Sequence, residues 1–141
     1  MRYFVAIALL MLSAQAVAVE HSILINGKTW HIGSDRTLNE INSGIGYQVD
    51  FSGGHLIAVN AMRDSHSETS WNVGAGWQGG FRYAKIGAVA FAMHRRDAGM
   101  VYGALPFLYL GTGKIGVNIF PIPAFGQNTT KGIFAQIKWR H

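Results

Sequence analysis

Hydrophobic and polar residues alternate along most of this chain with a period of two. The clearest run is Asn42 to Phe51. Ile41, Ser43, Ile45, Tyr47, Val49 and Phe51 fall on one side; Asn42, Gly44, Gly46, Gln48 and Asp50 fall on the other. Period two over ten residues specifies a strand with one apolar face and one polar or very small face. The pattern recurs at His55–Met62, Ser70–Gln78, Phe81–Met93, Met100–Leu110, Lys114–Phe120 and Gly132–Arg140. A less regular first strand spans Ser22–Ile32, with Asn26-Gly27 as either a bulge or a small hairpin turn. Eight strands result, joined alternately by tight glycine turns (Ser52-Gly53-Gly54, Gly79-Gly80, Gly111-Thr112-Gly113) and by longer polar loops. Pro106 interrupts the sixth strand, and Pro121-Ile122-Pro123 ends or opens the pairing of the seventh.

An even number of strands near ten residues long, with short turns at one end and longer loops at the other, predicts an all-β, eight-stranded antiparallel outer-membrane β-barrel. A water-soluble eight-stranded barrel would carry its polar face outward. Here the large side chains are expected outside: Trp71, Val73, Ala75 and Trp77 in the fourth strand, and Ile133, Ala135, Ile137 and Trp139 in the eighth. The tryptophans of the fourth strand are spaced for two interfacial girdles. Gly and Ala of the fourth and fifth strands are expected to line the bore, leaving room for one slim apolar chain.

Composition adds compartment and charge. Arg2, the apolar run Phe4–Leu12 and Ala16-Val17-Ala18 form a secretory signal peptide over residues 1–18, so residues 19–141 are expected to be the transmembrane barrel domain. The chain has no cysteine. An exported small domain without disulfides needs another source of stability, and a ring of fully paired strands supplies one. The formal net charge is +5, about +4 once Arg2 leaves. The basic residues form no run, which argues against nucleic acid and toward anionic lipid or lipopolysaccharide phosphate. The six histidines are scattered and the acidic residues do not share a face with them at ligand spacing, so neither a metal nor another cofactor is expected.

With both chain ends on the periplasmic side, the longer loops face outward. His31 then lies at the outer end of the first strand, and Asp64, Ser65 and His66 at the outer end of the third. A hydroxyl, an imidazole and a carboxylate at one level suit acyl transfer. The competing reading is a solvated hairpin loop, since Asp and Ser favour turns for backbone reasons. His66 is either part of the chemistry or a structural neighbour, and His55 sits in a periplasmic turn. Arg36, Arg63, Arg95, Arg96 and Lys131 are expected to form a basic rim for lipid phosphate, with His94 in the same loop region.

Thr29-Trp30-His31, Ala61-Met62-Arg63-Asp64-Ser65-His66, Gly74-Ala75-Gly76-Trp77 and Pro121-Ile122-Pro123 together resemble the lipid A palmitoyltransferases, the PagP-type outer-membrane acyltransferases. The chain would be a compact member, with shorter loops and no room before the first strand for that family's amphipathic helix. The resemblance implies an eight-stranded, membrane-embedded barrel, expected to be a monomer, that moves a palmitoyl chain from a phospholipid donor to a lipid A acceptor. It assigns the catalytic roles to His31, Asp64 and Ser65. Pro106, Pro121 and Pro123 either simply end strands or, in the sharper reading, leave gaps in the ladder through which an acyl chain enters from the membrane. A related lipid hydrolase and a non-catalytic lipopolysaccharide-binding barrel are the alternatives.

Overall fold

The computed structural model describes residues 19–33, 40–64, 66–96, 98–124 and 131–141. The signal-peptide region 1–18, Ser65, Arg36 and most of the first and last long loops lie outside the described residues. The strands are β1 (Val19–Ile32), β2 (Ile41–Phe51), β3 (His55–Arg63), β4 (Thr69–Gly80), β5 (Ala84–Arg95), β6 (Gly99–Thr112), β7 (Ile115–Ile122) and β8 (Lys131–Arg140). They close into one antiparallel barrel in chain order, with β8 pairing back onto β1. No described helix is long and apolar enough to cross a membrane, which says nothing of strands.

The barrel is inside-out relative to a water-soluble domain. Among the described residues its buried polar side chains, which include Asn26, Asn42, Gln48, Asp50, Asn118, Gln136 and Lys138, outnumber the buried apolar ones. Ile41, Ile45, Trp71, Trp77, Ile86, Tyr102, Ile115 and Trp139 are exposed on the outer surface. The alternation expected of β2, β4 and β8 is observed with that polarity. One expectation is corrected in β5. Ala88 and Ala90 face outward, while Val89, Phe91 and Met93 line the bore. The reason is parity: strictly alternating residues put the bulkier set on the side opposite the alanines.

Gly27 makes the bulge rather than a hairpin turn, and it decides what the outer end of β1 presents. Pairing with β2 shifts between Asn26 and Lys28, and pairing with β8 shifts between Asn26 and Thr29. Leu24 and Asn26 point inward before the bulge; Thr29 points inward after it. Had Gly27 continued a regular ladder instead of bulging, Trp30 would enter the bore and His31 would leave it. Instead Trp30 is 45% exposed and His31 lines the interior. A Cβ on Gly27 would lie 2.8 Å from the Ala135 carbonyl oxygen, so the close approach to β8 requires glycine.

Three short connections lie at one end, with the chain ends of the described barrel: Ser52–Gly54, Phe81–Tyr83 and Gly113-Lys114. At the other end the β5–β6 connection, 96–98, is also short and the remaining three are longer. The His141 N–H donates to the His21 carbonyl at 3.2 Å, and that of Arg140 to the Lys114 carbonyl at 2.7 Å. The β4–β5 turn is displaced from Gly79-Gly80 to Phe81–Tyr83, because Gly79 and Gly80 continue the ladder opposite Ile86 and Lys85.

The prolines act on one seam. The β5–β6 ladder runs unbroken from Ala84↔Leu110 to Arg95↔Gly99, through Ala88↔Pro106. The β7–β8 ladder likewise continues through Pro121↔Ile133. Between β6 and β7, however, the ladder runs only from Thr112↔Ile115 to Leu108↔Ile119. Two residues further on, the same register would set Pro106 opposite Pro121. Neither has an N–H to donate, and among the described residues the pairing stops there.

Candidate functional site

The outer ends of β1, β2 and β3 are tied together by a short polar relay. The Thr29 N–H donates to the Glu40 carbonyl at 2.8 Å. The Thr29 hydroxyl donates to Asn42 Oδ1, and Asn42 Nδ2 donates to the Arg63 carbonyl at 3.1 Å. Thr29 and Arg63 are thereby brought to one level. His31 and Asp64, close beyond them in sequence, reach the same rim and line the same cavity.

Asp64 is buried, at 6% exposure, and is engaged on both oxygens. Oδ1 accepts the N–H groups of His66 at 2.9 Å and Glu68 at 3.1 Å. Oδ2 accepts the Ser70 hydroxyl at 3.0 Å and lies 3.4 Å from Arg95 Nε. Backbone bonds close the turn: Asp64 N–H to Glu68 O at 2.8 Å and Ser67 N–H to Asp64 O at 3.0 Å. Ser67 takes φ of 63°, a conformation that such a tight turn imposes. Burial raises the Asp64 pKa. The N–H groups of Glu68 and His66, the Ser70 hydroxyl and the Arg95 charge lower it by more, so the net direction is down. Asp64 is thus a carboxylate at neutral pH.

Arg95, at the outer end of β5, joins this group from across the mouth. Its Nη2 lies 2.8 Å from His66 Nδ1. His31, Asp64, His66 and Arg95 all line the cavity. Sequence reading placed Arg95 on the rim with Arg96, and only its inward position at the end of β5 separates the two. Arg96 is exposed and pairs at 3.8 Å with Glu68. His94 faces outward and stacks on Trp71, with ring centres 5.6 Å apart. Lys28 pairs with Glu40 at 3.1 Å, and this pairing, with a hydrogen bond from the His31 backbone and the His31 charge, outweighs burial and lowers the Glu40 pKa. Of the expected basic rim, therefore, Arg95 and Arg96 are engaged by acidic neighbours on the same molecule.

The cavity below has a volume of about 700 Å³. That is within the range of sites that bury a small ligand. Its two sides differ. One is apolar, built from Leu56, Val89, Phe91, Leu105, Phe107 and Phe120. Phe120 packs against Phe107 and Phe134 with ring centres 5.4 and 5.8 Å away. This side includes the stretch where the β6–β7 ladder stops. The other side is a belt of amides. Gln136 Nε2 donates to Asn26 Oδ1 at 2.6 Å and to Asn60 Oδ1 at 3.0 Å. Asn118 donates to Gln136 at 3.2 Å, and Asn60 to Asn72 at 3.1 Å.

Beneath the belt, charged groups fill the bore. Asp50 pairs with Lys138 and accepts Gln48 Nε2 at 2.7 Å and Gln78 Nε2 at 2.8 Å. The Tyr109 ring has Lys85, Lys138 and Arg140 within 5.9 Å, and its hydroxyl accepts Arg140 Nη2 at 2.7 Å. None of these residues was singled out from sequence. For Gln48, Asp50, Gln78, Lys138 and Arg140 the signal was the polar parity of β2, β4 and β8, which shows that they face the bore but not which of them meet. Among the described residues, no group of three or more His, Asp or Glu side chains is placed to hold a metal ion.

The cavity is therefore a cup, open where His31, Asp64, His66 and Arg95 gather and filled by polar groups at its other end. No known family model matches the chain, and no curated protein matches it significantly in sequence.

Proposed function

We propose that this protein is an outer-membrane acyltransferase that moves a palmitoyl-type chain from a phospholipid to lipid A. The observation that carries the reading is the joint position of His31 and Asp64 at the mouth of an acyl-sized, half-apolar cavity. The exposed apolar exterior supports a lipid setting, since water would oppose so large a greasy surface. The asymmetry of short turns and longer loops supports a mouth facing outward. The interrupted β6–β7 seam offers an acyl chain a side entry to the apolar wall.

In this reaction His31 is the general base. It takes the proton of an acceptor hydroxyl as that oxygen attacks the donor ester carbonyl. The tetrahedral intermediate then expels the donor's glycerol oxygen, which recovers the proton from His31. One ester bond forms and one breaks. Asp64 keeps the loop and Arg95 in place, and in this direct transfer Ser65 serves as hydrogen-bond donor; with Ser65 as the nucleophile, His31 would first take the Ser65 proton, the donor's glycerol oxygen would leave, and the acceptor hydroxyl would then displace Ser65 from its acyl ester. No metal or cofactor is required, and a monomer holds every residue invoked.

The test is mass spectrometry of lipid A from cells making the protein, with the folded barrel verified in the outer membrane. Lipid A heavier by one acyl chain is the expected result, lost in His31→Ala. Free fatty acid without acylated lipid A would instead identify a hydrolase. An unchanged lipid profile, with wild type and His31→Ala alike, would leave a lipopolysaccharide-binding barrel.

A further inference from the structure

We propose that Arg95 locks His66 as a neutral imidazole with its proton on Nε2, making His66 a hydrogen-bond donor at the mouth rather than a second base. The donor role rests on the acyl-transfer reading above; the lock does not.

The inference follows from which atoms can accept. Arg95 Nη2 lies 2.8 Å from His66 Nδ1. A guanidinium has five N–H donors, no acceptor, and does not lose its proton in a protein. Nδ1 must therefore present its lone pair. The imidazolium and the Nδ1–H tautomer both put a proton where Arg95 already has one. That leaves the neutral ring protonated on Nε2.

Both partners are held. Arg95 Nε lies 3.4 Å from Asp64 Oδ2, and the Arg95 side chain is mostly buried. The backbone N–H of His66 donates to the other oxygen of the same carboxylate at 2.9 Å. Asp64, Arg95 and His66 thus form a closed circuit from backbone to ring and back. Asp64 is the shared anchor, while Ser70 and Glu68 hold it from the loop side. Arg95 is a positioning residue in this arrangement.

The geometry divides labour between the two histidines of the cavity. His31 takes the proton of the attacking hydroxyl. His66, unable to accept through Nδ1, offers Nε2–H to the oxygen of the acyl carbonyl as negative charge develops there. A preorganised neutral imidazole is suited to that task.

Nitrogen-15 NMR of the labelled, refolded protein in micelles tests the lock directly. His66 is assigned by the signals missing in His66→Gln. Wild type should show Nε2 protonated and Nδ1 unprotonated at neutral pH. Arg95→Gln and Asp64→Asn should each release the ring to a mixture of tautomers, with folding checked by gel mobility. A dominant Nδ1–H form in wild type, or a pattern unmoved by both variants, overturns the lock.

Kinetics tests the role. His66→Gln, whose amide N–H reaches close to the Nε2 position, should retain turnover within about tenfold of wild type. His66→Phe should lose about 10²–10³-fold in kcat with little change in KM, the loss typical of one oxyanion donor. Robust transfer by His66→Phe overturns the donor role. An Nε2–H signature in a wild-type protein without transferase activity supports the lock and overturns the acyl-transfer reading instead.

Discussion

Two aspartates, one near each end of the barrel, are wired almost alike and do different work. Asp50 and Asp64 are 7% and 6% exposed. Each has one oxygen accepting two N–H donors and the other facing a cation. The donors to Asp50 are side chains from β2 and β4, and its cation, Lys138, comes from β8. Those bonds cross the bore and brace distant strands. Asp64 instead collects the N–H groups of its own loop, a few residues on, and reaches across the mouth through Arg95. The chemistry of a buried carboxylate is the same at both places. What differs is the sequence distance its partners span, and this separates a structural brace from a local scaffold.

That contrast predicts unequal consequences. The largest belongs to Lys138→Ala, which leaves Asp50 buried without its cation. It should cost about 3–5 kcal/mol of barrel stability, read from denaturant unfolding in detergent or lipid. Replacing both partners, as Asp50→Leu with Lys138→Met, should recover most of the loss; if the double variant is as unstable as the single, Asp50 has a further partner that matters more. Gly27→Val comes next. Its Cβ would press on the Ala135 carbonyl, at about 1–3 kcal/mol. Deleting Gly27 removes the one residue that the bulge absorbs, so Trp30 should stay outward and His31 inward, and quenching of Trp30 by brominated lipid should be kept. Lost quenching would mean that the bulge is not what sets their direction.

Asp64→Asn should act locally. Opening of the turn should become easier by about 1–3 kcal/mol, seen as faster hydrogen exchange at the His66 and Glu68 amides, with the global unfolding midpoint nearly unmoved. Protonation should do the same reversibly. Because the folded pKa of Asp64 is lowered, its contribution is present above the ordinary carboxylate range and lost as pH falls through the lowered value. Protection of those amides should therefore hold from neutral pH through ordinary carboxylate titration and fail only in stronger acid. Failure at the ordinary range would contradict the wiring described for Asp64. The smallest effect belongs to Lys28→Gln. The Lys28–Glu40 pair is solvent-exposed, so its removal should leave the unfolding midpoint unchanged.

Much of the barrel was legible because a pleated strand exposes alternate residues to opposite faces. Ile45, Tyr47 and Val49 against Gly44, Gly46 and Gln48 need no tertiary information to be sorted. The site was legible in part. His31 and Asp64 could be set at one level from strand direction, and the structure brings them to one cavity. Ser65 lies outside the described residues. Arg95 was legible only as a rim cation, because its turn toward Asp64 depends on where β5 ends relative to β3.

By itself the sequence determined the strand number, the turn end and loop end, and which face of β2, β4 and β8 is greasy, since these follow from local periodicity and turn chemistry. Only the closed tertiary structure decided which polar residues meet inside. Asp50 and Lys138 stand 88 positions apart, and Gln136 and Asn26 stand 110 apart. Such pairs exist only once the ring has closed and fixed the register of every strand against the next. The Pro106–Pro121 gap has the same origin: each proline marks a weak point, and register alone sets the two across from each other.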